Sequence, residues 1–379
     1  MKVAILGGGG QTGTAIGAKL IRQGHKVWFY RFPAWINIPG VPKRPKKSRT
    51  EIEELKLAIN KSTVSEEGYR AIHRWANELE FNRVDILIFT FPSYLAEILG
   101  HLIGHHISGV PFLNISDRFL GSIAFLKAAN GTKRGSSSFC IALGSPPLLA
   151  YQLEQAKGET ILYYQKPVVL ISCFPVSEVK RSLHIINHLF DIPIVNIRVM
   201  PTLLHLAFEN IQSIVHAVQD LYNLKKGYYT NPKYLYSPLT YTPEIVERIN
   251  KVVEERDLIA ATFGIHGLRS LKEFDNSTFI TSKVAYPVGT AYYRHVHPLL
   301  SKLPAPPYYK CHGFEDVGWS MVTLESFGLL AKVLHPELTS LIDEWNILMK
   351  VDYRRVGRTV QTLDIAHIPI SQITETFQS

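Results

Sequence analysis

The stretch LGGGGQTGTA, residues 6–15, sets Gly8, Gly10 and Gly13 at the spacing G-x-G-x-x-G, behind the apolar run MKVAIL and ahead of a helical pattern. Strand before and helix after give such a motif its meaning. Gly8 permits a tight turn, Gly10 lets the backbone approach a pyrophosphate, and Gly13 lets the helix pack closely on the strand. Gln11 and Thr12 open that helix, whose free N–H groups and positive dipole end face the anion. The chemistry implied is the binding of a dinucleotide. A second register, Gly7-x-Gly9-x-x-Thr12, puts threonine third, and a ligand-free glycine turn is the plain alternative.

The next apolar run ends WFYRFP. Units that hold NAD carry a carboxylate here, about 20 residues past the glycines, on the ribose 2′-hydroxyl. In this chain the position is Arg31, and no Asp or Glu lies between Tyr30 and Lys43. An arginine suits a 2′-phosphate, through a forked charge-assisted contact and stacking on the adenine. NADPH is therefore the expected cofactor rather than NADH, and the basic loop Lys43–Arg49 adds to the attraction. An exposed arginine without a partner is the competing reading.

Two polar features stand apart from these. In LLHLAFENIQSIVHAVQDL, residues 203–221, apolar positions cover nearly every face, yet Gln212 and His216 fall on one line, four residues apart. Such a pair either satisfies internal hydrogen bonds or lines a site, and spacing alone favours the first. In HGFEDVGW, residues 312–319, Glu315 and Asp316 occupy a polar turn. A carboxylate beside an imidazole fixes its tautomer and suits proton transfer near neutral pH. A solvated turn capping the next helix explains the acids equally well. His105-His106 and His295-x-His297 lack a third ligand at useful spacing, so no metal is expected.

The elements that must position these residues fall into two groups. Apolar runs at Lys2–Leu6, Lys26–Tyr30, Val84–Phe91, Val110–Asn114, Phe139–Leu143 and Val168–Phe174 alternate with helical patterns, which predicts a parallel sheet covered on both faces. The first helix is expected at Gln11–Gln23, closed by Gly24. Thr50 and Glu53 read as a capping box for a helix at Glu51–Asn60. Past about residue 195 strands disappear. Helical patterns run over 201–224, Pro243–Gly264, Gly289–Leu303, Thr323–Leu334, His335–Lys350 and Asp352–Leu363. The expected domains are 1–197, nucleotide-binding, and 198–379, helical and substrate-binding.

Composition bounds the rest. With 379 residues and 46% apolar side chains the chain can bury a sizeable core. No apolar run is long enough to span a bilayer, and the N-terminus lacks the pattern of a secretory signal. Cys140, Cys173 and Cys311 are widely spaced without C-x-x-C, which fits a reducing, cytoplasmic setting. The net charge of +9 points to anionic ligands. No nucleic-acid-binding motif appears, and the aromatic stretch at 227–243 contains only Lys233 as a base, too little to track a nucleic-acid backbone.

The order of segments resembles the octopine/nopaline (opine) dehydrogenase family over almost the whole chain. ILGGGGQTGTAIGAKLIRQGHKVWFY resembles its cofactor unit, VDILIFTFPSYLAEIL the strand and turn beside the nicotinamide, and NIQSIVH the helix carrying an Asn and, four residues on, the catalytic His. YTPEIVERINKVVEERDLIAATFGI, FEDVGWSMVTLESFGLLAKVL and DYRRVGRTVQTLDI resemble its later helices. The resemblance implies a Rossmann-type α/β domain followed by an all-helical domain of the kind found C-terminally in 6-phosphogluconate dehydrogenase. It implies reductive condensation of an amino acid or related amine with an α-keto acid through an imine. Composition and motifs give no sign of a membrane or nucleic-acid partner, and a homodimer is compatible with the sequence without being specified by it. It makes His216 the acid/base group, Asp316 its orienting partner and Gln212 a substrate contact. Arg294, Arg354, Arg355 and Arg358 are candidates for the keto-acid carboxylate.

The chain also departs from the family pattern. Gln212 stands where the family has Asn, and Cys311-His312 where it has Arg-Tyr. The stretch FCIALGSPPLLAYQ lacks an acidic residue expected after its strand, and the glycine loop is one residue longer. A simple NADPH-dependent keto-acid reductase and a non-catalytic NADPH-binding descendant are the alternatives.

Overall fold

The computed structural model describes residues 1–7, 11–30, 36–37, 55–56, 84–107, 109–115, 117–130, 139–154, 159–226, 242–279, 313 and 315–378. Gly8, Gly10, Arg31, the loop Lys43–Arg49, Arg294, His295, His297, Cys311, His312 and the expected helix Gly289–Leu303 lie outside them.

The strands are β1 (Lys2–Leu6), β2 (Lys26–Tyr30), β3 (Ile36–Asn37), β4 (Leu55–Lys56), β5 (Ile86–Phe89), β6 (Phe112–Asn114), β7 (Cys140–Leu143), β8 (Leu148–Glu154), β9 (Glu159–Gln165), β10 (Val169–Phe174) and β11 (Ile197–Val199). Seven of them form one sheet in the order β11-β10-β7-β6-β5-β1-β2. From β7 to β2 all pairings are parallel, whereas β10 runs antiparallel to β7. Helices α1 (Gln11–Arg22), α2 (Ala96–Ile103), α3 (Gly121–Asn130) and α4 (Val179–Phe190) accompany the sheet. The helical half holds α5 (Leu203–Phe208), α6 (Ile211–Lys225), α7 (Pro243–Thr262), α8 (Leu271–Phe279), α9 (Val322–Ala331), α10 (Pro336–Met349), α11 (Tyr353–Val356) and α12 (Ile370–Thr376). Past Val199 no strand occurs among the described residues, and none of their helices is long and apolar enough to cross a membrane. The expected fold class, an α/β sheet followed by helices, is the one observed, except that the sheet is only mostly parallel: the expected strand Val168–Phe174 runs antiparallel to its neighbour β7.

Strand periodicity divides the core. Val3 and Ile5 of β1 and Ile86 and Ile88 of β5 join the layer under α1 and α4. Ala4, Leu6, Leu87 and Phe89 face the other way and join a cluster continuous with the helical half. One apolar core thus spans both parts of the chain. On that face α2 and α3 approach closely. A Cβ on Gly100 would stand 2.3 Å from the Phe125 carbonyl oxygen, and one on Gly104 would stand 2.4 Å from the Ala129 Cβ. Overpacking of this kind costs about 1–3 kcal/mol. Gly100→Ala is therefore expected to lower the denaturation midpoint accordingly, and an unchanged midpoint would disprove the close approach.

The structure corrects several expectations. Leu55–Lys56 is a two-residue strand paired in parallel with Ile36–Asn37, not part of a helix. The hairpin β8–β9 and strand β11 were not expected; their alternation is short and interrupted by register shifts in the hairpin. The pattern over 201–224 breaks into α5 and α6. Glu209 leaves the helical path to receive the Arg269 side chain and backbone N–H, and the Asn210 amide donates to Ser213 Oγ at 3.3 Å. The pattern Asp352–Leu363 stops at Val356. Gly357 passes too close to Gly318 for any Cβ, 2.2 Å from its carbonyl oxygen, and the Arg358 N–H donates to that same oxygen. The acids of HGFEDVGW are not in a solvated turn. Glu315 and Asp316 are helical and buried, and a π-helical turn, Val317–Met321, comes directly after them.

Candidate active site

Ligands of open α/β sheets gather beyond the carboxyl ends of the parallel strands. At the end of β1, Gly7 has φ +90° and donates its N–H to the Tyr30 carbonyl at 2.9 Å. A Cβ there would stand 2.8 Å from Thr90 Oγ1, so only glycine fits. Helix α1 comes next, with no acidic residue in its first turn, Thr12 half-buried and Gly13 buried. A close approach of α1 to the sheet lies one turn further on, at Gly17. A Cβ on Gly17 would stand 2.1 Å from the Phe29 ring. A left-handed glycine turn leading to an acid-free helix N-terminus fits a diphosphate.

A chain of contacts leads from this turn to the helical half. Thr90 Oγ1 donates to the Leu6 carbonyl at 3.0 Å. Three residues on, the Ser93 N–H donates to Glu315 Oε1 at 2.6 Å. Asp316, next to Glu315, accepts from His216 Nδ1 at 2.9 Å through Oδ2 and has no solvent exposure. The Arg118 guanidinium contacts Asp316 Oδ1 at 3.0 Å and Glu315 Oε1 at 3.5 Å. Gln212 Nε2 lies 3.4 Å from His216 Nε2, and Gln212 Oε1 is buried without a hydrogen-bond partner among the described residues. The two histidine nitrogens therefore face different groups, a carboxylate and an amide. A carboxylate on Nδ1 selects the tautomer protonated there and leaves Nε2 with its lone pair.

Local folding explains these placements. Helix α6 carries Gln212 and His216 one turn apart on one face. It is anchored by the Trp345 indole N–H, which donates to the Ala217 carbonyl at 2.9 Å. The same indole presses on Gly313, where a Cβ would stand 2.2 Å from the ring. Trp345 thus fixes both the helix bearing His216 and the segment entering Glu315-Asp316. The π-helical turn holds one extra residue, which rotates Glu315 and Asp316 by roughly 100° against helix α9. Ser320 Oγ, in that turn, donates to Ser213 Oγ of α6 at 3.1 Å.

Arg118 escaped sequence reasoning, although DRFL lies directly after strand β6, where strand-end residues reach the ligand crevice. It has φ 52°, and Leu120 has φ 63°. Residues so held cost of order 1 kcal/mol each and persist where surroundings impose them. The imposing group is Asp117. Its Oδ1 accepts from the Asn114 amide at 3.1 Å and the Ser122 N–H at 2.6 Å. Burial pushes the Asp117 carboxyl above the usual carboxylate range, against the opposing pull of those hydrogen bonds and of Arg358.

Three of the four arginines considered for the keto acid have other positions. Arg358 is fully buried and spends its guanidinium on Glu97, Ser93 and the Phe119 carbonyl. Arg354 pairs with Glu325 and Asp343, and Arg355 is exposed.

Residues 199–349 match the family model described as NAD/NADP octopine/nopaline dehydrogenase, alpha-helical domain. Over these residues the chain is similar to the helical domain of the opine dehydrogenases. The resemblance expected from the sequence is thus met in the helical part of the chain. An octopine dehydrogenase solved with NADH and L-arginine matches 99% of this chain and 98% of its own, at 13% identity and a TM-score of 0.64. A yersinopine dehydrogenase solved with NADP+ matches 99% of both chains, at 13% identity and a TM-score of 0.61. A D-mandelate dehydrogenase solved with NADH covers 92% of this chain and 99% of its own, at 13% identity and a TM-score of 0.51. At such identities the likeness is one of fold. A search of curated protein sequences returned no match.

Proposed function

We propose that this protein is an NADPH-dependent opine dehydrogenase, joining an amine or amino acid to an α-keto acid and reducing the product. The observation that carries the reading is the pairing of half-buried His216 with fully buried Asp316, 2.9 Å apart, tied through Glu315 and Ser93 to the strand ends beside the glycine turn. The structural relatives are described with NADH or NADP+, and with arginine, agmatine or pyruvate.

In this reading His216 Nε2 takes the proton that leaves the attacking amine and returns one to the departing hydroxyl. Asp316 holds the ring in the tautomer that makes Nε2 the active atom and stabilises the imidazolium formed in between. Arg118 holds Asp316 from its other oxygen. The unpartnered Gln212 Oε1 accepts an N–H from the amine. Gly8, Gly10, Gln11, Thr12 and Gly13 would hold the cofactor's diphosphate, and Arg31 its 2′-phosphate. The cofactor, when bound, supplies the hydride.

The test is NADPH depletion with pyruvate, glyoxylate, oxaloacetate or 2-oxoglutarate crossed with a panel of amines. Oxidation that requires both partners supports the reading. Oxidation with the keto acid alone would make the protein a keto-acid reductase, a class that shares this architecture. NADPH binding without turnover for any pair would make it a non-catalytic descendant. Arg31→Ala is expected to weaken NADPH by about 10–100-fold, the range for a lost charged hydrogen bond, with NADH little changed. Equal losses for both cofactors would remove Arg31 from the 2′-phosphate.

A further inference from the structure

Apart from the His216 pair, Gly144, Ser145, Glu209, Asn210, Arg269 and Phe274 are among the residues that line a pocket. Gly144 and Ser145 lie just past β7 at its carboxyl end, on the same edge of the sheet as the glycine turn. Asn210 is the N-cap of α6, so the pocket lies about 9 Å along that helix from His216. Behind Ser145 stands Lys166, 2% exposed at the end of β9, with its Nζ donating to Ser145 Oγ at 2.6 Å. A hydroxyl that accepts from an ammonium must turn its own O–H elsewhere, and Ser145 lines the pocket.

The charge around Lys166 is one-sided. Among the described residues, the charges acting on it are the guanidiniums of Arg269 and Arg118, both of its own sign. Glu209, the acid in the pocket wall, is taken by the Arg269 side chain and backbone N–H. Arg118 is matched by Asp316 and Glu315. Burial, then Arg269 and Arg118, push the Lys166 ammonium down to about 7. A buried lysine is costly unless its charge meets a partner. Groups perturbed in this way cluster at binding and catalytic sites.

We infer that Ser145, polarised by Lys166 and facing Arg269, receives a second carboxylate of the substrate, so that this chain acts on a dicarboxylic partner. The inference rests on the reading of the site given above and deepens it. Arginine side chains, the guanidino group of the octopine dehydrogenase ligand, would meet like charge here. The expected acidic residue that FCIALGSPPLLAYQ lacks is missing from the same strand end. The second carboxylate can enter on the amine or on the keto acid, and in either position it accepts from Ser145 Oγ–H. Its arrival restores the charged form of Lys166, so binding above pH 7 takes up a proton.

The test is calorimetric binding to the NADP+-saturated protein, which does not depend on turnover. L-Glutamate is compared with L-alanine and L-arginine, and 2-oxoglutarate with pyruvate. In at least one pair the dicarboxylate is expected to bind about 10–100-fold more tightly, the range for a charge-assisted contact. The pair that shows the difference identifies which substrate carries the second carboxylate. Lys166→Met and Ser145→Ala should each abolish the difference while leaving NADP+ affinity intact, and Lys166→Met should melt no lower than the wild type because a buried charge is gone. Equal affinity for mono- and dicarboxylates, or a preference that survives both variants, overturns the inference. Absence of turnover in the NADPH screen combined with a Lys166-dependent dicarboxylate preference would overturn the proposed reaction and leave the subsite standing.

Discussion

His216→Ala is expected to lower turnover by about 10²–10⁴-fold, the usual loss when a general acid/base is removed. NADPH affinity should be unchanged, because α6 and the glycine turn belong to different halves of the chain. Asp316→Asn should also lower turnover, because an amide in place of the carboxylate loses the preference for the Nδ1–H tautomer. The double variant should lose little more than His216→Ala alone, since the two side chains act as a unit. Asp316 is fully buried against Arg118, so its replacement also leaves a guanidinium unbalanced. Melting curves must accompany the kinetics for that variant, whereas His216→Ala, at a partly open position, should melt near the wild type. Turnover unchanged in His216→Ala would end the proposed mechanism.

Arg358→Met is expected to have the largest effect on stability, a loss of about 3–5 kcal/mol in chemical denaturation. Arg358 is fully buried. Its Nε donates to Glu97 Oε1 at 2.9 Å, its Nη1 to Ser93 Oγ and the Phe119 carbonyl at 3.0 Å each, and its Nη2 to the Ser93 carbonyl at 2.8 Å. Methionine would leave the carboxylate and both carbonyls without their donor. One residue from the far end of the chain thus clamps the loops after β5 and β6, the loops that carry Ser93 and Arg118 to the site. Arg354→Met is the comparison. That guanidinium is about one-third exposed, with Asp343 more exposed still, so water screens the pairs and the cost should be about 1 kcal/mol or less. A loss under 1 kcal/mol for Arg358→Met would show that the clamp contributes little.

Much of the fold is legible in the sequence. Continuous apolar runs between helical patterns favour strands of one sheet, and each of the six expected strands contains an observed one. Lys26–Tyr30, at the sheet edge, is however not covered on both faces and leaves Trp28 and Phe29 exposed. Gly24, with φ +81°, and Gly264, with φ +72°, lie just past α1 and α7, where patterned residues end. Thr242 with Pro243 opens α7, its hydroxyl accepting from the Ile245 N–H. These are local rules, satisfied by neighbours in the chain, and a sequence displays them directly.

The site is legible only in part. Spacing put Gln212 and His216 on one face of a helix, but could not say that Asp316, a hundred residues away, would meet the ring; resemblance supplied that pairing. Arg118 and Lys166 gave no signal of their own, because an arginine after a strand and a lysine after a hairpin are ordinary surface residues until other segments cover them. The break at Glu209 likewise depends on Arg269, which no helical pattern announces. Residue types and their periods therefore determined the sheet, the helices and the glycine turn. Tertiary packing alone decided which charges were taken out of water and set against one another, because electrostatic energy depends on distance and burial, and neither is written in the order of the residues.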